Sequence, residues 1–155
     1  RRSVAVPELR QNRDSTTMVK TGTLSLVTKG MCDLKEITRE VADAINDSGL
    51  SDGIVTVFVP GATGGVTTIE FEQGAVNDLK RALEAVAPEG GEYEHNLRWG
   101  DGNGYSHVRA SLLGASLVVP FNDKRLILGT WQQIVLVDFD NRPRSRQIIL
   151  QIMGE

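Results

Sequence analysis

The stretch "RLILGTWQQIVLVDFDNRPRSRQIILQIM", residues 125–153, decides the fold. It holds two apolar β-rich runs, "RLILGTWQQIVLVDFD" and "SRQIILQIM", joined by a short charged turn. Parallel neighbours need a crossover of a dozen or more residues, usually a helix, so strands joined by a turn this short run antiparallel. Upstream, "SLVVPF" (116–121) adds a third run of the same kind. The C-terminal third of the chain is therefore mostly antiparallel sheet.

The first half supplies the helices. "TGTLSLVTK" (21–29) reads as a half-buried strand. A helix is expected over "DLKEITREVADAINDSG" (33–49), with Asp33 as N-cap, Glu36 closing a capping box and Gly49 as the stop. Leu34, Ile37, Val41, Ala44 and Ile45 form its apolar face. "GIVTVFVPG" (53–61) and "VTTIEFE" (66–72) read as strands separated by a glycine-rich turn. A second amphipathic helix follows at about 74–87, with Val76, Leu79, Leu83 and Val86 as its stripe and Pro88 after it. Ser106 is placed to cap a short helix through "HVRASLLG". The expected architecture is α+β: a largely antiparallel sheet packed with two main helices plus one short helix.

Composition narrows the class. The chain has 155 residues, 40% of them hydrophobic, which suits one globular domain with its own core. Residues 1–17 hold four Arg against Glu8 and Asp14, and Met18 then opens a clean strand pattern, so 1–17 is expected to be a leader arm and 18–155 the domain. Formal charge is −3, which argues against a nucleic-acid binder, since phosphate backbones are held by an excess of Lys and Arg. No apolar run approaches the roughly 20 residues that cross a bilayer. The single cysteine, Cys32, cannot form an intrachain disulfide, and a reducing cytoplasmic compartment is expected.

The chemistry concentrates in "EHNLRWGDGNGYSHVRASLLG" (94–114), which holds both histidines, His95 and His107. Between them the glycines of "GDGNG" let the backbone approach a ligand, and Asp101 and Asn103 supply oxygen atoms. The same dipeptides also make ordinary surface turns. "DNRPRSR" (140–146) brings Arg144 and Arg146 onto one face of a strand, a geometry suited to phosphate, although a solvated charged turn reads the same way. There is no GxxxxGK[ST] loop, and "GDGNG" opens no crossover helix, so neither a P-loop nor a dinucleotide fingerprint is present. Trp131 in "LGTWQQ" is expected to be a packed aromatic inside a β run, with Thr130 and Gln132 able to face a pocket.

These residues resemble the YjbQ-like family, also described as secondary thiamine-phosphate synthase-type proteins. The resemblance runs from about Val19 to Glu155. It is carried by Tyr93, His95, His107, the Ser111–Gly114 turn, Pro120, the Leu128–Gln132 segment and the terminal Gly154-Glu155, all in family order. It implies a compact α+β subunit that assembles as a symmetric homo-oligomer, a trimer, around a polar pocket of histidines and an acidic residue. The implied activity is a weak thiamine-phosphate synthase reaction joining a pyrimidine diphosphate to a thiazole phosphate. The alternative is a non-catalytic metal- or anion-binding homo-oligomer.

Under the enzyme expectation His95, His107 and Glu70 are catalytic, and His95 and His107 hold a divalent metal, Mg2+ or Zn2+. Thr63, Asp101, Asn103, Ser111, Gln132, Arg144 and Arg146 then bind the phosphorylated substrate. One departure stands out. Many members carry a His-Thr-Thr/Ser-Ala run where this chain has "PGATGG", so the family's first histidine falls at Gly61. A three-histidine metal site cannot be completed by histidine alone.

Overall fold

The computed structural model describes residues 16–155, so the expected leader falls almost entirely outside the described residues. Eight strands and four helices follow one another: β1 Met18–Thr28, β2 Asp33–Glu36, α1 Thr38–Ser48, β3 Gly53–Phe58, β4 Gly64–Ile69, α2 Gln73–Val86, α3 Glu94–Trp99, α4 Gly104–Leu113, β5 Ser116–Asn122, β6 Arg125–Leu126, β7 Gln133–Asp138 and β8 Arg144–Gly154. The α+β class and the antiparallel pairing are as expected. The single expected sheet is divided, however, into a five-stranded sheet ordered β1-β8-β3-β5-β6 and a three-stranded one ordered β2-β7-β4.

The division follows from β7. Its run "IVLV" is apolar at every position and is buried at every position, as a strand covered on two faces must be. Ile134 and Leu136 face the main core, with Val55 and Val57 of β3, Ile148 and Leu150 of β8, and Val41 and Ile45 of α1. Val135 and Val137, one residue out of phase, face a second core with Leu83 of α2 and Ala110 of α4. The small sheet is thus the middle layer, between the large sheet and the pair α2 and α4.

Two local expectations are corrected. Asp33 and Glu36 do not cap a helix; they are the ends of β2, which pairs with β7 from Asp138 to Val135. The Asp33 carboxylate accepts instead from the Lys29 N–H, and Glu36 accepts from the Thr38 N–H at the true start of α1. Sheet pairing to a buried strand outweighs a cap worth about 1 kcal/mol. The stop at Gly49 is as read, with φ at 78° in the left-handed region. Residues 127–132 are not strand, and Trp131 is 69% exposed rather than packed.

Candidate functional site

Close approach of α4 to β4 builds the site's floor. A Cβ on Gly65 would lie 2.8 Å from Leu113 Cδ2 and 2.9 Å from the Gly114 carbonyl, so only glycine lets the helix sit this close. The Val66 N–H donates to the Gly114 carbonyl at 3.0 Å. Helix α4 begins at Gly104, three residues earlier than a Ser106 cap would place it. Ser106 is buried inside the first turn, within hydrogen-bonding reach of Asn103 Oδ1 and the Phe139 carbonyl, which fasten α4 to the end of β7. Its inward residues are Tyr105, Ser106, Arg109 and Ala110, which leaves His107 and Ser111 on the flank that faces the 61–64 loop.

The two histidines meet. Helix α3, read from the sequence as loop, ends at Gly100 in the left-handed region and returns the chain to α4 through the Asn96 side chain, which accepts from the Gly104 N–H. The ring centroids of His95 and His107 are 4.4 Å apart. His95 Nε2 lies 3.3 Å from Asp101 Oδ2, and His107 Nδ1 lies 3.1 Å from the Ala62 carbonyl. A carbonyl can only accept, so the neutral His107 ring carries its proton on Nδ1 and keeps a lone pair on Nε2. Asp101 accepts the Asn103 N–H, which, with the His95 contact, outweighs desolvation and holds its carboxyl below the usual range.

Below the histidines lies a buried charge network that the sequence reading found only in part. Arg146 donates from Nε to Asp138 Oδ2 and from Nη2 to Asp138 Oδ1, each at 2.7 Å, and Nη2 also reaches Thr63 Oγ1. Arg144 donates from Nε to Asp140 Oδ2 at 2.8 Å, and the Thr63 hydroxyl donates to the same oxygen at 2.9 Å. Asp138 and Asp140 were missed. A signal was available: two aspartates two apart at the end of an apolar run share a face, as do two arginines two apart on the next strand.

Thr63, Asp101, Asn103, His107, Arg144 and Arg146 line one cleft of about 450 Å3. Ser111 joins His107 in an adjoining cleft of about 270 Å3 with Gly61, Ala62 and Gly64. Thr63 and Asn103 are largely occupied with protein partners, since Asn103 Oδ1 also accepts the Asn141 N–H. Two expected residues lie elsewhere. Glu70 follows the far end of β4, in a cleft with Glu36, Glu72 and Trp131, about 20 Å along the strand from Gly64 at roughly 3.3 Å per residue. Gln132 lines a fourth cleft with Thr38 and Lys124, and its side chain donates to Thr68. Neither lines the cleft that holds His107.

The metal expectation rested on His95 and His107, and no third ligand among the described residues joins them. Among the described residues no group of three or more His, Cys, Asp or Glu side chains converges on a point that could hold an ion. Asp101 is engaged by His95 and the Asn103 N–H, and the two imidazoles are tilted at 49° to each other. The donor set of this subunit does not fit a resident Mg2+ or Zn2+ ion.

The fold and the sequence have counterparts. The chain is 35% identical over 130 residues to a UPF0047 protein of Archaeoglobus fulgidus, covering 84% of this chain and 98% of that protein. It is 36% identical over 134 residues to the UPF0047 protein YugU of Bacillus subtilis, covering 85% and 98%. The crystal structure of a YbjQ-like protein of unknown function from Sulfolobus solfataricus superposes with a TM-score of 0.85 at 31% identity, covering 90% of this chain and all of that one. No helix among the described residues is long and apolar enough to cross a membrane. The family model described as UPF0047 protein YjbQ-like matches residues 22–155, and the chain belongs to that family.

Proposed function

We propose that the histidine–arginine cleft binds a small phosphorylated molecule and that His107 Nε2 moves a proton on it. The observation that carries this reading is the anchoring of His107 Nδ1 on the Ala62 carbonyl, which fixes the ring and its tautomer while Nε2 has no hydrogen-bond partner among the described residues. The same cleft presents two guanidinium groups whose positions are set by buried carboxylates. Asp138 and Asp140 offset the charge of Arg146 and Arg144, so the cleft recognises an anion by directed N–H groups rather than by bulk positive potential. That balance suits a compact phosphate ester and not a polyanion.

The finer reading is a thiamine-phosphate synthase-type reaction. There the pyrimidine methylene carbon exchanges its bond to a diphosphate oxygen for a bond to the thiazole nitrogen, and pyrophosphate leaves. Arg144 and Arg146 would receive the leaving diphosphate, with His107 available to protonate it. A calorimetric titration with inorganic phosphate and pyrophosphate tests the cleft, and pyrophosphate release from the two substrates tests the reaction. Binding without release would retain a phosphate-ester site and remove the synthase reaction. Absence of any binding would overturn both.

A second observation favours self-assembly. Across β1, β8, β3 and β5 the outward positions carry no charged side chain; Val19, Met153, Ile54, Val118, Phe58 and Val27 alternate there with Ser, Thr and Gln. These four strands of the open sheet present an uncharged, partly apolar face, with Arg125 of β6 at its edge, and such a face fits a second copy of this chain, because it offers nothing to a charged partner. We propose that this face is buried in a homo-oligomer, the trimer being the state that the family resemblance implies.

A further inference from the structure

Arg146 has one nitrogen that the buried network does not use. Its Nε and Nη2 are held by Asp138 and Thr63, while Nη1 donates to no acceptor among the described residues, although the side chain is more than nine-tenths buried. That nitrogen points at Gly61: a Cβ built on Gly61 would lie 3.0 Å from it, and one on Gly64 would lie 3.8 Å from the guanidinium carbon. Two glycines therefore open a notch down to an otherwise enclosed cation. Gly61 holds φ at 141°, a conformation that a side chain disfavours, so the notch is also kept open by the backbone.

The rim adds donors. The main-chain N–H groups of Gly61, Ala62 and Thr63 donate to no acceptor among the described residues, and they follow one another along the bend that leads into β4. Successive backbone N–H groups around a guanidinium make a concavity for an oxyanion. His107 stands on the opposite wall, tied to the same bend through the Ala62 carbonyl, and Ser111 lies one helical turn beyond it.

We infer that the anionic group of the ligand sits in the Gly61 notch, on Arg146 Nη1 and the 61–63 N–H groups, and that Gly61 is a specificity-determining position that sets the size of the group admitted. This inference rests on the phosphate reading of the cleft and places the phosphate on the Ser111 side of His107, away from Arg144. A compact tetrahedral oxyanion fits; a bulky substituent directly on that group does not.

Isothermal titration of the full chain with inorganic phosphate tests the placement. Gly61→Ala puts a methyl group against Nη1, and Ser111→Asp puts a negative charge on the opposite wall without touching the 61–63 backbone. Each should weaken phosphate binding at least tenfold. Val108→Asp adds the same charge to the exposed side of α4 outside the cleft and should bind like the wild type. If Gly61→Ala does not fold, Ser111→Asp measured against Val108→Asp decides. Phosphate bound within twofold of wild type by Ser111→Asp, with binding abolished by Arg144→Ala, overturns the placement and leaves the phosphate reading standing. A wild-type chain that binds no phosphate overturns both.

Discussion

Arg146 grips both carboxylate oxygens of Asp138 through two 2.7 Å hydrogen bonds, in side chains that are 9% and 0% exposed. The pair joins β8 of the large sheet to the end of β7 in the small one, so the charge network that floors the cleft is also a tie between the two sheets. Removing Asp138 takes away the carboxylate that offsets the buried guanidinium and leaves it with Thr63 and the more distant Asp140. Asp138→Ala is therefore expected to lose about 3–5 kcal/mol of unfolding free energy. Urea denaturation of the two chains checks this; a loss below 1 kcal/mol would show that the network relaxes without cost.

The same contact sets an acid limb on stability. Burial alone would raise the Asp138 carboxyl, but the Arg146 donors, the Thr28 hydroxyl and the Asp140 N–H outweigh it and hold the group below its ordinary range. A depressed native value means that the stabilisation is present above the unfolded carboxyl value near 4 and is lost as pH falls through the lower native value. Thermal midpoints measured downward from pH 6 should fall more steeply below about pH 4 for the wild type than for Asp138→Asn, which has no carboxyl to protonate. Parallel curves would sink the assignment.

Removing His107 should separate binding from folding. The ring is half-buried, beside His95, and makes one hydrogen bond to backbone, so His107→Ala should cost about 1 kcal/mol of stability. If the cleft binds phosphate through a fixed imidazole, that variant should lose most of the thermal shift given by phosphate. Destabilisation by several kcal/mol with an unchanged ligand shift would make the histidine structural and leave proton transfer without an agent.

Much of this architecture was legible in the chain because the apolar run at 134–137 and the stripes of α1 and α2 follow strand and helix periods directly. The failures have physical causes. Asp33 and Glu36 spell a capping box, yet the segment pairs with β7, because a buried strand must satisfy its backbone groups on both sides. Trp131 looked like core because it lies between the apolar runs 126–128 and 134–137, but the chain turns at Gly129 and Gln132 and carries the indole outward. The site was half visible. Arginines and histidines announce themselves by type, whereas Asp138 and Asp140 were hidden at the end of a hydrophobic strand, where only the matching parity of Arg144 and Arg146 reveals their role.

Arg109 offers a test on the other side of α4. Its side chain is 1% exposed; Nε donates to the Ala87 carbonyl at 2.9 Å, Nη2 to Glu84, and the guanidinium carbon lies 4.9 Å from the Tyr105 ring centroid. It thus fastens the C-terminal end of α2, which has no basic residue of its own in its last turn, to the helix that carries His107. Arg109→Lys should cost about 2–4 kcal/mol despite keeping the charge, because a lysine cannot fork to two acceptors and stack on a ring at once. Chemical denaturation measures the loss, and full stability in the lysine variant would show that charge alone holds the helices together.

The uncharged sheet face predicts how assembly fails. Phe58 on β3 stands between Ile149 of β8 and Ser116 of β5, in the middle of that face and 41% exposed in a single subunit. Phe58→Glu would bury a carboxylate without a partner in any interface formed there, a penalty of several kcal/mol per contact, while in an isolated subunit the new charge simply faces water. Light scattering coupled to size exclusion should report a multiple of the 16.9 kDa chain for the wild type and a mass near 16.9 kDa for the variant, with an unchanged circular dichroism spectrum. A wild-type chain that elutes as a monomer, or a variant that keeps its oligomeric mass, would place the subunit contact, if one forms, on another face of the molecule.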